Sequence, residues 1–226
     1  MSARYGYLFE ALYPFEGKRV LVLNAGAGAE EAARIALEGA RVVAADRAVS
    51  GLRAAARRAL ERERRVALVL TGVEGLPFRD GVFDACACLG ALERVRDVPF
   101  LVREAARVLR PGGGFFYETV NRTPRARALG RLVDGDAARG GPILDPALHV
   151  RPEEVERALR GASLRPLDIR GLGPRGSLAR VLLDRLRGRE TPLAARHDLS
   201  FRFMGHAVKE ETIGPPDPAR TPSHRP

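Results

Sequence analysis

The chain has 226 residues, 45% of them hydrophobic and 29% charged, with 38 Lys and Arg against 28 Asp and Glu for a formal charge of +10. That length supports one buried core, and the composition is that of an ordinary globular protein, not a disordered or fibrous one. No apolar run approaches the roughly 18–20 residues a membrane-spanning helix needs, and Met1 to Tyr7 carry no charged-then-apolar leader, so a cytoplasmic protein is expected.

In chain order, 1–17 reads as a short lead-in helix, with Tyr5, Tyr7, Phe9 and Tyr13 at helical spacing as either a reduced lid or simple packing residues. Apolar runs bounded by Gly, Pro or charge then alternate with stretches of helical period, which predicts a parallel sheet covered by helices. Strands are expected over 19–24, 41–45, 66–70, 83–88 and 114–120, with helices over 29–39, 48–63 and 96–109 between them. Arg110-Pro-Gly-Gly-Gly114 ends the last helix and opens the fifth strand. Residues 121–151 read as an irregular, arginine-rich insertion, 152–161 as a helix begun by proline, 164–170 as a strand and 199–208 as an alternating final strand pairing antiparallel with its neighbour. The Pro-, Arg- and Thr-rich stretch 210–226 is expected to be a disordered tail, leaving 1–209 as one domain. Cys86 and Cys88 are expected on opposite faces of their strand, as small core residues that form neither a mutual disulfide nor a metal site.

Only Lys18 and Lys209 are lysines. The rest of the positive charge is arginine dispersed among Ala, Gly and Pro, which fits a compositional bias better than a nucleic-acid footprint. No nucleic-acid partner is expected. Arg122, Arg125, Arg127, Arg131 and Arg139, with Leu129, Leu132 and Val133, form either a basic amphipathic turn for anionic lipid, peripheral at the inner membrane face, or a solvated lid.

The first strand runs into Asn24-Ala-Gly-Ala-Gly28 and a helix, which lets a ligand approach the backbone and a helix N-terminus. Asp46 ends the second strand, where a carboxylate accepts hydrogen bonds from both ribose hydroxyls of an adenosine; the plain alternative is a helix-capping turn residue. A dinucleotide dehydrogenase would want glycine where this chain has Glu31. The later motifs, Gly75-Leu-Pro-Phe78, Gly81-Val-Phe-Asp84, Leu92-Glu-Arg-Val95 and Arg107-Val-Leu-Arg-Pro-Gly-Gly113, occur in the order of class I S-adenosylmethionine-dependent methyltransferases, and the chain resembles that family. Within it, Glu118-Thr-Val-Asn-Arg-Thr-Pro124, Val150-Arg-Pro-Glu-Glu-Val155 and 198–209 resemble the ubiquinone-biosynthesis O-methyltransferases. The resemblance implies an α/β, Rossmann-like seven-stranded sheet with helices on both faces and a reversed C-terminal hairpin. It further implies S-adenosylmethionine as cofactor, a small phenolic or quinone-like methyl acceptor, and Asn24, Ala25, Gly26, Gly28, Asp46, Arg47, Val73 and Leu89 as cofactor-binding residues.

The chain departs from that family at several positions. Val22 stands where relatives carry an acidic residue, Asn24 where they open the loop with glycine, and Gly72 where they keep an acidic residue near adenine. Relatives that use a divalent cation present Glu and then Glu-His where this chain has Gly90, Glu93 and Arg94, so no metal is expected. Methyl transfer to oxygen needs a base; His149 and Glu93 are the candidates, against a surface loop histidine and a loop-orienting carboxylate as plain alternatives. His206 reads as structural or interfacial. The competing function is a binding or scaffold relative that kept the fold and lost catalysis.

Overall fold

In the computed structural model, described over residues 3–73, 75–133, 145–175, 183, 187 and 193–211, the alternation of apolar runs and helical stretches becomes one sheet with helices on both faces. The elements are α1 (Ala3–Leu12), β1 (Arg19–Leu23), α2 (Ala29–Leu37), β2 (Arg41–Asp46), α3 (Val49–Leu60), β3 (Ala67–Leu70), β4 (Phe83–Leu89), α4 (Val98–Val108), β5 (Leu109–Val120), α5 (Pro124–Val133), α6 (Pro152–Gly161), β6 (Leu164–Pro174), β7 (Leu193–Arg196) and β8 (Arg202–Lys209). Short 3₁₀ turns cover Leu92–Arg94 and Pro146–Leu148. The sheet order is β3-β2-β1-β4-β5-β8-β6-β7. β1 pairs in parallel with β2 and β4, whereas β8 runs antiparallel to both β5 and β6. Strand order reverses between β1 and β4, and a crevice beyond their C-terminal ends is where open α/β sheets bind ligands.

Strand alternation divides the core by face. Leu21, Leu23, Cys86, Cys88, Phe115, Tyr117 and Phe203 pack with α4 and α6 through Val98, Leu101, Val155 and Leu159. Val20, Val22, Ala85, Ala87, Leu89, Phe116 and Met204 pack with α1 and α2 on the other face. Helix boundaries follow from caps. The Asp97 carboxylate accepts from the Phe100 N–H at 2.8 Å, with proline in the first turn of α4. At α6 the Glu154 side chain accepts from the Arg151 N–H at 2.9 Å.

Several expectations are corrected. Cys86 and Cys88 share a face, because residues two apart on a pleated strand project the same way; both are free and buried in one cluster. Among the described residues the sheet has eight strands, because 193–196 adds an edge strand on β6. β5 begins at Leu109, taking in the Pro-Gly-Gly-Gly run. The insertion opens with the 10-residue helix α5 instead of irregular chain. Of its five arginines, Arg122 is committed to Glu154 and Arg125 to Asp198, Arg127 is exposed, and Arg139 and the side chain of Arg131 lie outside the described residues. The tail reading falls on 210–226, of which only Glu210 and Glu211 are described. α1 is a packing helix: Tyr5, Tyr7, Leu8 and Leu12 are buried, and the Tyr7 hydroxyl lies 3.0 Å from His206 Nδ1.

Candidate active site

The loop after β1 turns on Asn24, whose φ of 58° is left-handed, a conformation asparagine tolerates better than most residues. Its side-chain amide donates to the carbonyls of Leu89 at 2.7 Å and Gly90 at 3.0 Å, tying the β1 loop to the end of β4 across the switch point. The N–H groups of Ala25, Gly26, Ala27 and Gly28 are all engaged, with Ala45 O, Asp46 Oδ2, Asn24 O and Asn24 O respectively. Asp46 is 5% exposed and accepts from Gly26 N–H and Ala48 N–H, both at 2.8 Å, one to each oxygen.

The glycines permit close approach of protein to protein. A Cβ on Gly51, in the first turn of α3, would lie 2.3 Å from Asp46 Oδ2, and one on Gly26 would lie 2.9 Å from Gly51 Cα. A Cβ on Gly28 would meet Leu89 Cδ1 at 2.6 Å. Asp46 is an acceptor that suits an adenosine: each of its oxygens, bonded once, has a second lone pair able to accept from a ribose hydroxyl, and small residues line the approach. Ala25 and Leu89 are fully buried, Arg47 is exposed, and Val73 is half-buried against the α4-side core.

Above the ends of β4 and β5 lies a charged network that sequence reasoning did not assemble. The Arg4 guanidinium donates to both Glu31 oxygens at 2.8 Å, to Ala27 O at 3.0 Å and to Glu118 Oε2 at 3.3 Å. Arg202 donates from Nε to Glu118 Oε1 at 2.5 Å and from Nη2 to Glu93 Oε1 at 3.0 Å. Thr119 Oγ1 donates to Glu93 Oε2 at 2.7 Å. Burial pushes the Glu93 carboxyl up, more than Arg202 draws it down. For Glu118 burial also acts upward, but Arg202 and Arg4 outweigh it and hold the group below the usual carboxylate range. Gly90 closes this corner at φ 64°, where a Cβ would come within 3.3 Å of Glu93 Oε1 and 3.9 Å of Arg202 Nη2.

His149 is 3% exposed, and both its ring nitrogens are buried with no hydrogen-bond partner among the described residues. It is a core histidine, not a surface loop residue. The Asn121–Val150 bridge and the bond from Arg122 Nε to His149 O, 2.7 Å, fix its backbone beside β5. Burial lowers its pKa first, with Arg202 and Arg127 acting in the same direction, so the ring is neutral at pH 7. Arg202 thus bonds one candidate base, Glu93, and its charge lowers the pKa of the other, His149. His206, by contrast, is held by Tyr7. Arg4 and Arg202 were missed because their partners lie 27 to 114 residues away; a signal for Arg202 existed, since it lies in the 198–209 segment already singled out.

Residues 23–117 match the methyltransferase domain family. A ubiquinone biosynthesis O-methyltransferase of Mesorhizobium japonicum is 36% identical over 179 residues, 76% of this chain and 70% of that protein. A protein of the same name from Methylocella silvestris is 34% identical over 202 residues, 87% of this chain and 72% of that one. Among solved structures, a putative methyltransferase of Bacillus halodurans shares the fold with a TM-score of 0.64 at 18% identity, over 92% of this chain and 99% of that one. These likenesses do not favour the non-catalytic alternative. No helix of the described residues is long and apolar enough to cross a membrane. From its identity to proteins of that name across most of its length, the chain belongs to the ubiquinone biosynthesis O-methyltransferase family of S-adenosylmethionine-dependent methyltransferases.

Proposed function

We propose that the chain methylates a phenolic oxygen of a small quinone precursor, with His149 as the base and Asp46 as the anchor of the nucleoside. The observation that carries the acceptor side is the buried His149 ring, neutral and with both nitrogens unspent among the described residues. A neutral imidazole has one lone pair for a proton, and burying it without a partner costs free energy that a bound hydroxyl recovers. Arg202 and Arg127 supply positive charge that favours the phenolate once the proton has moved to His149.

S-adenosylmethionine, when bound, supplies the electrophilic methyl group. Asn24, Ala25, Gly26 and Gly28 would lie along it, with Leu89 and Val73 as apolar walls and Arg47 at the exposed edge. Glu93, held by Arg202 and Thr119, positions that guanidinium and does not itself take the proton. Among the described residues of the insertion, the exposed Arg127 makes the start of α5 a contact for anionic lipid. His149→Asn tests the assignment: kcat with a catechol acceptor should fall by about 10²–10⁴-fold, with cofactor affinity unchanged. A variant retaining full kcat would refute it.

A further inference from the structure

Between α4 and α6, on the sheet face away from α1, lies a cavity of about 430 Å³, a size that suits a small organic ligand. None of Asp46, Glu93, His149 or the glycine loop lines it. Its floor is apolar and buried, formed by Val98, Val150 and Ala158. Arg96, Arg103 and Arg157 stand around it, all exposed, and none has a hydrogen bond or ion pair among the described residues. The ring of Phe100 lies 5.7 Å from the Arg103 guanidinium carbon.

The one carboxylate in the lining, Glu154, is already spent. Its oxygens accept from Arg122 Nη1 and from the Arg151 N–H, each at 2.9 Å. Elsewhere on the surface, Arg34, Arg58, Arg107, Arg160 and Arg170 all face a carboxylate. Three uncommitted guanidiniums around an apolar hollow repel one another and gain most from a shared oxyanion, which guanidinium forks bind with paired hydrogen bonds.

We propose that this cavity binds a small oxyanion carrying an apolar body, a phosphate ester or a carboxylate, with the anion among Arg96, Arg103 and Arg157 and the apolar part on Val98, Val150 and Ala158. Leu148 and Val150, the neighbours of the proposed base, line the cavity while His149 does not, and because the test reads anion binding and not turnover it stands or falls independently of the proposed reaction.

Titration calorimetry of the full chain with inorganic phosphate and with phenyl phosphate reads the site directly. Phenyl phosphate should bind more tightly than phosphate. The triple variant Arg96→Gln, Arg103→Gln, Arg157→Gln should weaken it by about tenfold or more, the scale of losing charge-assisted bonds, with S-adenosylmethionine affinity unchanged. All three side chains are exposed, so the variant should melt as the parent does. Sedimentation with phosphatidylglycerol vesicles, against phosphatidylcholine vesicles, separates the sources of the anion. Retention lost in the triple variant identifies a lipid phosphate, and no retention beside phenyl phosphate binding identifies a soluble ester. Binding that survives the triple substitution, equal affinity for phosphate and phenyl phosphate, or no binding in either arm overturns the proposal.

Discussion

Arg202→Met removes the guanidinium that joins two buried carboxylates while keeping an unbranched side chain in its place. Side-chain exposure is 13% for Arg202, 1% for Glu93 and 2% for Glu118, so solvent does little to replace the lost charge. Glu118 keeps Arg4 at 3.3 Å, but Glu93 is left with only the Thr119 hydroxyl among the bonds described above. Breaking a buried pair from one side costs about 3–5 kcal/mol, and the surviving Arg4 contact sets the expectation near about 3 kcal/mol. For a chain of this size that is a fall in melting temperature of roughly 6–12 °C. The pH dependence follows from the sign of each shift. Glu118, lowered in the folded protein, contributes stability above its ordinary 4.5 that is lost as pH falls through its folded value. Glu93, raised, opposes folding as pH rises through its folded value, and more so without Arg202. The variant's deficit should therefore be larger at pH 8 than at pH 5, read by urea denaturation at both, with Arg202→Lys falling between. A deficit below about 1 kcal/mol, the range of an exposed pair, or one that does not change with pH would refute the network as described.

Gly51→Ala should destabilise the chain by about 1–3 kcal/mol through overpacking, because its Cβ would fall 2.3 Å from Asp46 Oδ2; chemical denaturation measures it. Turnover should decline as pH falls through a value below the ordinary histidine pKa of 6.5, since the base must be neutral and burial lowers His149; a kcat profile from pH 5 to 8 checks this. Cys86 and Cys88, buried with their thiols pushed up by desolvation, should resist a thiol-specific reagent in the native protein and react once it unfolds.

What was legible from the chain was what local pattern encodes. β1, β2 and β4 declare themselves as unbroken apolar runs because they are central and covered on both faces. Asn24 to Gly28 and Asp46 follow from where those runs stop. β7 escaped because four residues, Leu-Ala-Ala-Arg, carry too little alternation to mark an edge strand. α5 escaped because its arginines read as loop-like polarity, although its hydrophobic residues lie at helical spacing. The pairing of Arg4 with Glu31 and Glu118, and of Arg202 with Glu118 and Glu93, escaped for a different reason. Ion pairs across the sheet have no period in the chain; only topology brings α1 and the start of β8 to the ends of β4 and β5. The same topology turns His149 from a loop residue into a buried one.

Binding of the nucleoside at Asp46 is the central claim, and calorimetry with S-adenosylhomocysteine on Asp46→Asn tests it most directly. Asparagine keeps the size and one of the two oxygens that accept from the Gly26 and Ala48 N–H groups, at the loss of one of those bonds, and circular dichroism verifies that the variant is folded. Affinity should fall by about tenfold or more, the scale of hydrogen bonds to a charged group. Unchanged affinity in a folded Asp46→Asn protein would contradict the account.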